Sequence, residues 1–168
     1  MKQKFSVLLS VFEKDNYNHL SKCLESIWDK QSIKPNEIII IKDGILDEYK
    51  DNLLTKFENK AKEKIRVISL EKNLGLGNAL NVGLNKCNYD IVARMDADDI
   101  AMSNRFELQL KFMTTHNVDI LGSFAKEIDM KGNVTGYRKV PVNHKEIYLS
   151  LWANSIIHST VMFKRKKY

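Results

Sequence analysis

Cysteine, proline and long apolar runs are scarce in this sequence, and these shortages exclude several classes of protein. Its 168 residues include two prolines and two cysteines, Cys23 and Cys87, without a C-x-x-C pair, which argues against a disulfide framework and a zinc site. The longest apolar runs, such as "IIII" at 38–41, are far shorter than the roughly 20 residues that cross a bilayer. Glu13 comes too early for a signal peptide. We therefore expect one cytoplasmic domain over residues 1–168.

The chain is basic, with a formal net charge of +6. Such charge suits nucleic acid, anionic lipid or phosphorylated substrates. No RNA-binding signature or basic–aromatic interleaving is present, so a nucleic-acid partner is not expected. Part of the charge lies in "FKRKKY" at 163–168, which is either a solvated tail or a peripheral contact with a membrane surface. Four histidines without paired spacing argue against a zinc enzyme, and His158 is isolated.

Strand and helix patterns alternate through the first hundred residues. Four short apolar, β-prone segments predict strands, and the segments between them have helical spacing. The predicted strands are 4–12, 36–44, 65–70 and 89–96, and the predicted helices are 16–31, 47–64 and 76–87. Four consecutive isoleucines indicate a strand covered on both faces, as in a parallel sheet between helices. The alternation predicts an α/β, Rossmann-like three-layer domain with a mainly parallel central sheet.

Individual helices carry more specific expectations. Asn16 or Asn18 should cap the first helix. The apolar side of the helix predicted over 47–64 should contain Tyr49, Leu53, Leu54 and Phe57. Trp28 should lie on the apolar side of the helix predicted over 16–31. In the second half of the chain, Phe106, Leu110 and Met113 should point inward from a helix over 103–116. The remaining predictions are strand, "KGN" turn and strand over 118–140, a helix over 144–154 and a strand over 159–165.

Three polar clusters follow predicted strands: "FEKD", "KDG" and "DADD". In open α/β sheets, ligands bind at the carboxyl ends of the strands, so these clusters should meet at one edge. The crowding of Asp96, Asp98 and Asp99 needs an explanation, since two carboxylates 4 Å apart repel by about 4 kcal/mol near a protein surface. A divalent cation would offset this repulsion, and if the strand continued to Asp98, Asp96 and Asp98 would share one face. The alternative is an acidic loop that caps the helix over 103–116.

Two other strand-end segments have weaker signals. Asp43 in "KDGILD" is placed to accept a hydrogen bond from a base N–H or a ribose hydroxyl, although an Asp before Gly is also common in turns. The segment "EKNLGLGNALNVG" at 71–83 contains three glycines but matches neither a dinucleotide fingerprint nor a P-loop. No Ser/His/Asp arrangement is present.

Several of these segments occur in a recognisable order. They are "SVLLSVFEKD" at 6–15, "IIIIKDG" at 38–44, "NLGLGNALNVGL" at 73–84, "ARMDADDI" at 93–100 and "IIHSTVMF" at 156–163. Together they resemble the family-2 glycosyltransferases of the GT-A fold, most closely the bacterial members that build capsular and exopolysaccharides. The resemblance covers nearly the whole chain.

The resemblance implies a metal-dependent transfer of a sugar from a nucleotide-sugar, with inversion at the anomeric carbon and with UDP favoured as the nucleotide. The implied acceptor is a saccharide or a lipid-linked molecule, and the implied location is beside the inner face of the plasma membrane. Asp96 and Asp98 match the family's DxD pair, which holds Mn²⁺ or Mg²⁺ on the donor diphosphate. The residues implied to bind the nucleotide-sugar are Ser10, Val11, Phe12, Glu13, Asp43, Asn73, Gly75, Asn81, Asp96, Ala97 and Asp98. If Asp43 accepts from a base N–H, the hypothesis is a uracil, thymine or guanine nucleotide, because neutral cytosine has no ring N–H at its pairing edge.

The sequence also departs from the family pattern. The family often has Pro, Asn and Arg where this chain has Ser10, Glu13 and Leu80. Its catalytic base is usually an Asp in a Glu-Asp motif beyond the "IIHSTVMF" segment, and this chain reaches Tyr168 without one. We therefore expect a GT-A domain that lacks the family's C-terminal part, with no catalytic residue assigned. The alternatives are a noncatalytic nucleotide-sugar-binding module and a sugar-nucleotidyltransferase, although "SVFEKD" lacks the glycines that the latter needs.

Overall fold

The first half of the chain is a repeating strand–helix unit. A computed structural model describes residues 3–150 and 155–165. Its first four strands and the helices between them confirm the alternation predicted from the sequence. The strands are β1 (Phe5–Val11), β2 (Glu37–Lys42), β3 (Ile65–Ser69) and β4 (Ile91–Met95), and the helices are α1 (Tyr17–Ile27), α2 (Glu48–Asn59) and α3 (Leu76–Lys86).

In the described residues, the second half adds two helices, a short 3₁₀ turn, two further strands of the main sheet and a hairpin. Helix α4 (Arg105–His116) precedes β5 (Ile120–Leu121). An antiparallel hairpin of β6 (Ala125–Ile128) and β7 (Val134–Arg138) forms a separate sheet and contains the expected "KGN" turn. The remaining elements are α5 (His144–Leu149), a 3₁₀ turn (His158–Thr160) and β8 (Met162–Lys164).

The strand order of the main sheet creates a crevice. The six strands lie in the order β3-β2-β1-β4-β8-β5, with β1 parallel to both β2 and β4. Strand β8 runs antiparallel to β4. Successive strands move outward from β1 to β3, and the chain then crosses to the other side of β1 to form β4. This reversal is a topological switch point, where α/β sheets bind ligands beyond their carboxyl ends.

Helices cover both faces of the sheet, which confirms the predicted three-layer α/β class. Alternate side chains of β1 divide between two cores, as the two-residue strand period requires. One core joins β1 to α1, α2 and α4, and the other packs Leu8, Ile39 and Ile41 against α3. Residues 38–41 are all 0% exposed, which explains why four consecutive isoleucines are favourable there. Cys23 and Cys87 are also buried, with free thiols.

Several local predictions are confirmed, and one helix face was wrong. Asn16 caps α1 through its side chain, which accepts from the N–H groups of residues 18 and 19. Phe106, Leu110 and Met113 are buried on α4. Tyr49, predicted to face inward, is 78% exposed, whereas Lys50 is buried. The apolar period fails here because the Lys50 ammonium finds polar partners inside.

Several predicted boundaries also need correction. Strand β4 ends at Met95, before the aspartates, so strand alternation does not orient Asp96 and Asp98. Helix α1 ends at Ile27, which leaves Trp28 beyond it and partly buried. Helix α4 begins at Arg105.

The C-terminal predictions are only partly covered by the structure. Helix α5 ends at Leu149, and residues 151–154 of the helix predicted over 144–154 lie outside the described residues. The strand predicted over 159–165 is shorter, because a 3₁₀ turn precedes it. Residues 166–168 of the basic segment also lie outside the described residues. In the part of the chain that is described, no helix combines the length and apolarity needed to cross a bilayer.

Candidate functional site

A cleft of about 460 Å³ lies beyond the carboxyl ends of the parallel strands. It is lined by Ser10, Phe12, Asp15, Asp43, Asn73, Gly75, Leu76, Asp96, Ala97 and Asp98. We call the part formed after β2 and β3, residues 43 and 73–76, the β2 side, and the part formed after β4, residues 96–98, the β4 side. The loop after β1 lies between them. A second cavity, of about 590 Å³, lies near the opposite ends of the strands and contains none of the predicted site residues.

The loop after β1 is folded by its own hydrogen bonds and held by a lysine from α2. The backbone N–H of Phe12 donates to Asp15 Oδ2 at 2.8 Å, and the N–H of Asp15 donates to the Phe12 carbonyl at 3.1 Å. Lys50 Nζ donates to the carbonyls of Glu13 at 2.7 Å and Asp15 at 3.2 Å. These contacts fix the backbone that places Phe12 and Asp15 in the cleft.

On the β2 side, the loops after β2 and β3 are joined by Asp43. Its carboxylate is buried, and Oδ1 accepts the backbone N–H of Leu74 at 2.7 Å. Gly44 follows with φ +94°, and a Cβ there would lie 2.9 Å from the backbone nitrogen of Asn73, so both the conformation and the close approach require glycine. Asn73 Oδ1 in turn accepts from the N–H of Gly75 at 3.0 Å. The β2 side is thus a rigid pair of loops.

On the β4 side, two arginines lie close to the aspartates. Arg94, which is 3% exposed, forms an ion pair with the carboxylate of Asp96. Arg105 donates to the Arg94 carbonyl at 2.8 Å, and burial lowers the Arg105 pKa to about 10. Asp99 forms a hydrogen bond with Ser159 on the 3₁₀ turn. Helix α4 has no side-chain cap bond, so these aspartates do not cap it as the alternative interpretation required.

The carboxylates of the loop after β1 and of the β4 side are close enough to influence one another. Loss of surrounding water raises the pKa of Asp15, and repulsion from Asp98 and Asp96 raises it further. The carboxylates of Asp15, Asp96 and Asp98 line the cleft and give it negative charge to offer a cation. Among residues 3–150 and 155–165, no group of three or more ligating side chains is arranged to hold a metal ion. A pair of carboxylates nevertheless fits Mg²⁺, which commonly takes one or two of them and completes its shell with substrate phosphates and water.

The structure brings most of the sequence-predicted site residues together. Eight of them line the cleft: Ser10, Phe12, Asp43, Asn73, Gly75, Asp96, Ala97 and Asp98. Val11 is buried in the core beneath it. Glu13 contributes a carbonyl to Lys50, and Asn81 is exposed on α3 outside the lining.

Sequence reasoning missed residues that support the cleft. Asp15 and Leu76 line it, while Lys50 and Arg94 hold its loops. Asp15 belongs to the "FEKD" cluster, so its strand-end position was a usable signal. The sequence also contains a signal for Arg94, because this residue is the charged one within an otherwise apolar strand segment.

Comparison with known proteins identifies the family of this chain. Residues 6–167 match the family model described as glycosyl transferase family 2. The amylovoran biosynthesis glycosyltransferase AmsE of Erwinia amylovora is 36% identical over 97% of this chain and 60% of its own length. The Escherichia coli UDP-Gal:alpha-D-GlcNAc-diphosphoundecaprenol beta-1,3-galactosyltransferase is 39% identical over 96% of this chain and 58% of its own. This chain therefore spans about three fifths of the length of these relatives.

A solved structure shares the fold. S. aureus TarS 1-349 in complex with UDP-GlcNAc aligns with a TM-score of 0.70 at 22% identity, over 96% of this chain and 45% of that one. The family match covers almost the entire sequence, and the relatives share more than a third of their aligned residues with it. The chain belongs to glycosyl transferase family 2.

Proposed function

We propose that this chain is the nucleotide-sugar-binding domain of an enzyme that transfers a sugar from a UDP-sugar to a saccharide or lipid-linked acceptor in bacterial surface polysaccharide biosynthesis. The observation that carries the proposal is the placement of a buried acceptor, Asp43, and a carboxylate pair, Asp96 and Asp98, on opposite sides of one cleft at the switch point. The relatives named for amylovoran biosynthesis and for UDP-Gal support the substrate class.

The cleft gives the donor an orientation. Asp43 Oδ1 is occupied by the N–H of Leu74, and Oδ2 has no hydrogen-bond partner among the described residues. This oxygen can accept the ring N–H of uracil, so we place the base and ribose on the β2 side. A donor in this orientation extends its diphosphate toward the β4 side. Tighter binding of CDP than of UDP would contradict this assignment of Asp43.

Asp96 and Asp98 are the residues that would hold Mn²⁺ or Mg²⁺ with the diphosphate. When bound, the cation would stabilise the charge that develops on the leaving nucleoside diphosphate. Arg94 keeps Asp96 oriented, and Asp98 is exposed toward the cleft. The proposal includes inversion at the anomeric carbon, with a carboxylate deprotonating the acceptor hydroxyl.

We further propose that the reaction takes place at the inner face of the plasma membrane. The E. coli relative is named for a diphosphoundecaprenol acceptor, and a lipid of this kind is confined to a membrane. We extend the same class of acceptor to this protein. Peripheral contact with the membrane surface would then bring the cleft close to the acceptor headgroup.

Calorimetric titration of UDP, with and without Mn²⁺, tests the proposal. We expect Mn²⁺-dependent binding to the wild type that Asp98→Ala abolishes. Asp29→Ala is the control, because Asp29 is a surface carboxylate paired with Lys60. The proposal fails if folded wild type does not bind UDP, or if Asp98→Ala binds it as tightly as the wild type does.

Turnover separates this proposal from the noncatalytic alternative. The enzyme would release free UDP from a UDP-sugar in the presence of an acceptor. A binding module would bind the same donor with the same metal dependence and release none. Membership in glycosyl transferase family 2 disfavours the sugar-nucleotidyltransferase alternative.

A further inference from the structure

We infer that Lys50 is a positioning residue that holds the loop after β1 against the loop after β2 and thereby shapes the nucleoside part of the cleft. The inference rests on the proposed function, because it assigns Lys50 a role in donor binding. Lys50 lies in the first turn of α2 and is 5% exposed. It is not among the residues that line the cleft.

All three donors of the Lys50 ammonium have acceptors. Nζ donates to the carbonyl of Glu13 at 2.7 Å and to that of Asp15 at 3.2 Å, and it forms an ion pair with the carboxylate of Asp47. A lysine has three N–H donors and no acceptor, so this set uses its full capacity. Burying a charge is costly unless the charge is paired and hydrogen-bonded, as it is here.

The three acceptors belong to two different loops. Glu13 and Asp15 follow β1, whereas Asp47 caps α2 at the end of the loop that begins with Asp43. These loops are also joined at their base, where the Asp43 N–H donates to the Val11 carbonyl at 2.8 Å. Lys50 supplies a second connection further along both loops. Two connections fix the relative orientation of the loops, whereas the bond at the base would leave a hinge.

Apolar packing alone would not explain a lysine at this position. Helix α2 buries Leu54 and Phe57 against the sheet, and an apolar residue at 50 would continue that surface. Such a residue would leave the Glu13 and Asp15 carbonyls without this donor. The polar contacts of Lys50 are directed to the backbone on either side of Lys14, in the loop that presents Phe12 and Asp15 to the cleft.

The effect of Lys50 should therefore be larger on binding of the nucleoside than on binding of the diphosphate. We expect Lys50→Met to weaken binding of UDP about tenfold in saturating Mn²⁺, because charge-assisted hydrogen bonds that fix the loop are lost. Binding of inorganic pyrophosphate with Mn²⁺ should weaken less than that of UDP, since pyrophosphate reports on the β4 side, which the loop after β1 reaches through the charge of Asp15. A general loss of structure would weaken both ligands together.

Two further variants make the test specific. Lys42→Met is the matched control. The Lys42 ammonium also pairs with an α2 carboxylate, that of Asp51, but within the described part of the chain it has no bond to the loop after β1. It should bind UDP like the wild type. Lys50→Arg keeps the charge but presents a planar fork that does not match three separate acceptors, so an intermediate affinity is expected. Circular dichroism and thermal unfolding establish that each variant is folded.

The outcomes distinguish this inference from the proposed function. No UDP binding by folded wild type overturns the proposed function and this inference with it. Binding by the wild type with unchanged UDP affinity in Lys50→Met overturns the inference alone, as does an equal loss for UDP and pyrophosphate. If Lys50→Met does not fold, Lys50→Arg decides between support and rejection by its UDP affinity. Failure of both variants to fold would show a role in folding instead.

Discussion

The β2 side of the cleft is held by hydrogen bonds from backbone N–H groups to side-chain oxygens, and the β4 side is held by charge. On the β2 side, Asp43 accepts from the N–H of Leu74, and Gly44 permits the close approach of the next loop. On the β4 side, the position of Asp96 depends on an ion pair with a guanidinium, that of Arg94, which is nearly inaccessible to solvent.

This difference matches what each side would bind. A base and ribose need fixed acceptors and donors, which rigid loops supply. A diphosphate with a cation needs negative charge that is oriented but not neutralised. Four carboxylates near the β4 side repel one another: those of Asp15, Asp96, Asp98 and Asp99. Two buried guanidiniums, those of Arg94 and Arg105, lie near them. Buried cations therefore offset part of the repulsion and leave the rest available to a metal ion.

Removing Asp96 should have the largest effect on stability. Asp96→Ala leaves the Arg94 guanidinium buried without its carboxylate. Breaking a fully buried pair from one side costs about 3–5 kcal/mol, and because the Asp96 side chain is 32% exposed we expect a loss at or below the lower end of that range. Urea unfolding measures the loss. Asp29→Ala breaks the exposed pair with Lys60 and should cost about 0–1 kcal/mol.

A double variant tests whether the ion pair causes this loss. Arg94→Met introduced into Asp96→Ala removes the unpaired charge and fills its space with an apolar chain, so stability should partly return. If the double variant loses the sum of the two single losses, Arg94 and Asp96 are not coupled, and charge does not hold the β4 side.

The fold could be predicted from the sequence because its signals are local. The run Ile38–Ile41 can only be stable with both faces covered, and the helices between the strands show apolar spacing. The burial of Lys50 and Arg94 could not be predicted in the same way. Lys50 depends on carbonyl acceptors that lie far away in the sequence, and Arg94 depends on a carboxylate that follows the end of its strand. Apolar periodicity contains no information about either acceptor.

The residues of the candidate site also differ in whether local sequence signals could predict their positions. Asp43 and Asp98 could be placed from their positions after strands. Val11 was grouped with its motif neighbours, although the two-residue period of β1 turns it into the core. Asn81 belongs to a motif whose helix leaves the cleft after its first turn. The end of β4 depends on turn geometry after Met95, which alternation cannot predict.

Two glycines of α3 test how closely this helix packs on the sheet, and α3 begins at the edge of the β2 side. A Cβ at Gly83 would lie 2.8 Å from Ile41 Cγ1 and also contact Leu8, so Gly83→Ala should cost about 1–3 kcal/mol through overpacking. A Cβ at Gly77 meets nothing within 4 Å among the described residues, and Gly77→Ala should stabilise by about 0.5–1 kcal/mol. Urea unfolding should give opposite signs, and equal effects would show that α3 does not rest closely on β1 and β2.

The smallest expected effect concerns Asp15, which lies between the two sides. Its pKa is raised, first by loss of water and then by Asp98 and Asp96, so the folded protein holds this proton more tightly than the unfolded chain does. Stability should therefore fall as pH rises from about 4 through the raised pKa, and the fall should be smaller in Asp15→Asn. Asp129 in the β6–β7 turn gives the opposite case, because hydrogen bonds from Asn133 lower its pKa, so its ionisation adds stability as pH rises. Urea unfolding from about pH 2 to about pH 8 should show Asp15→Asn gaining on the wild type as pH rises above about 4, and Asp129→Asn losing on it as pH rises toward about 4. A curve for Asp15→Asn that runs parallel to that of the wild type would mean that the pKa of Asp15 is not raised in the folded protein.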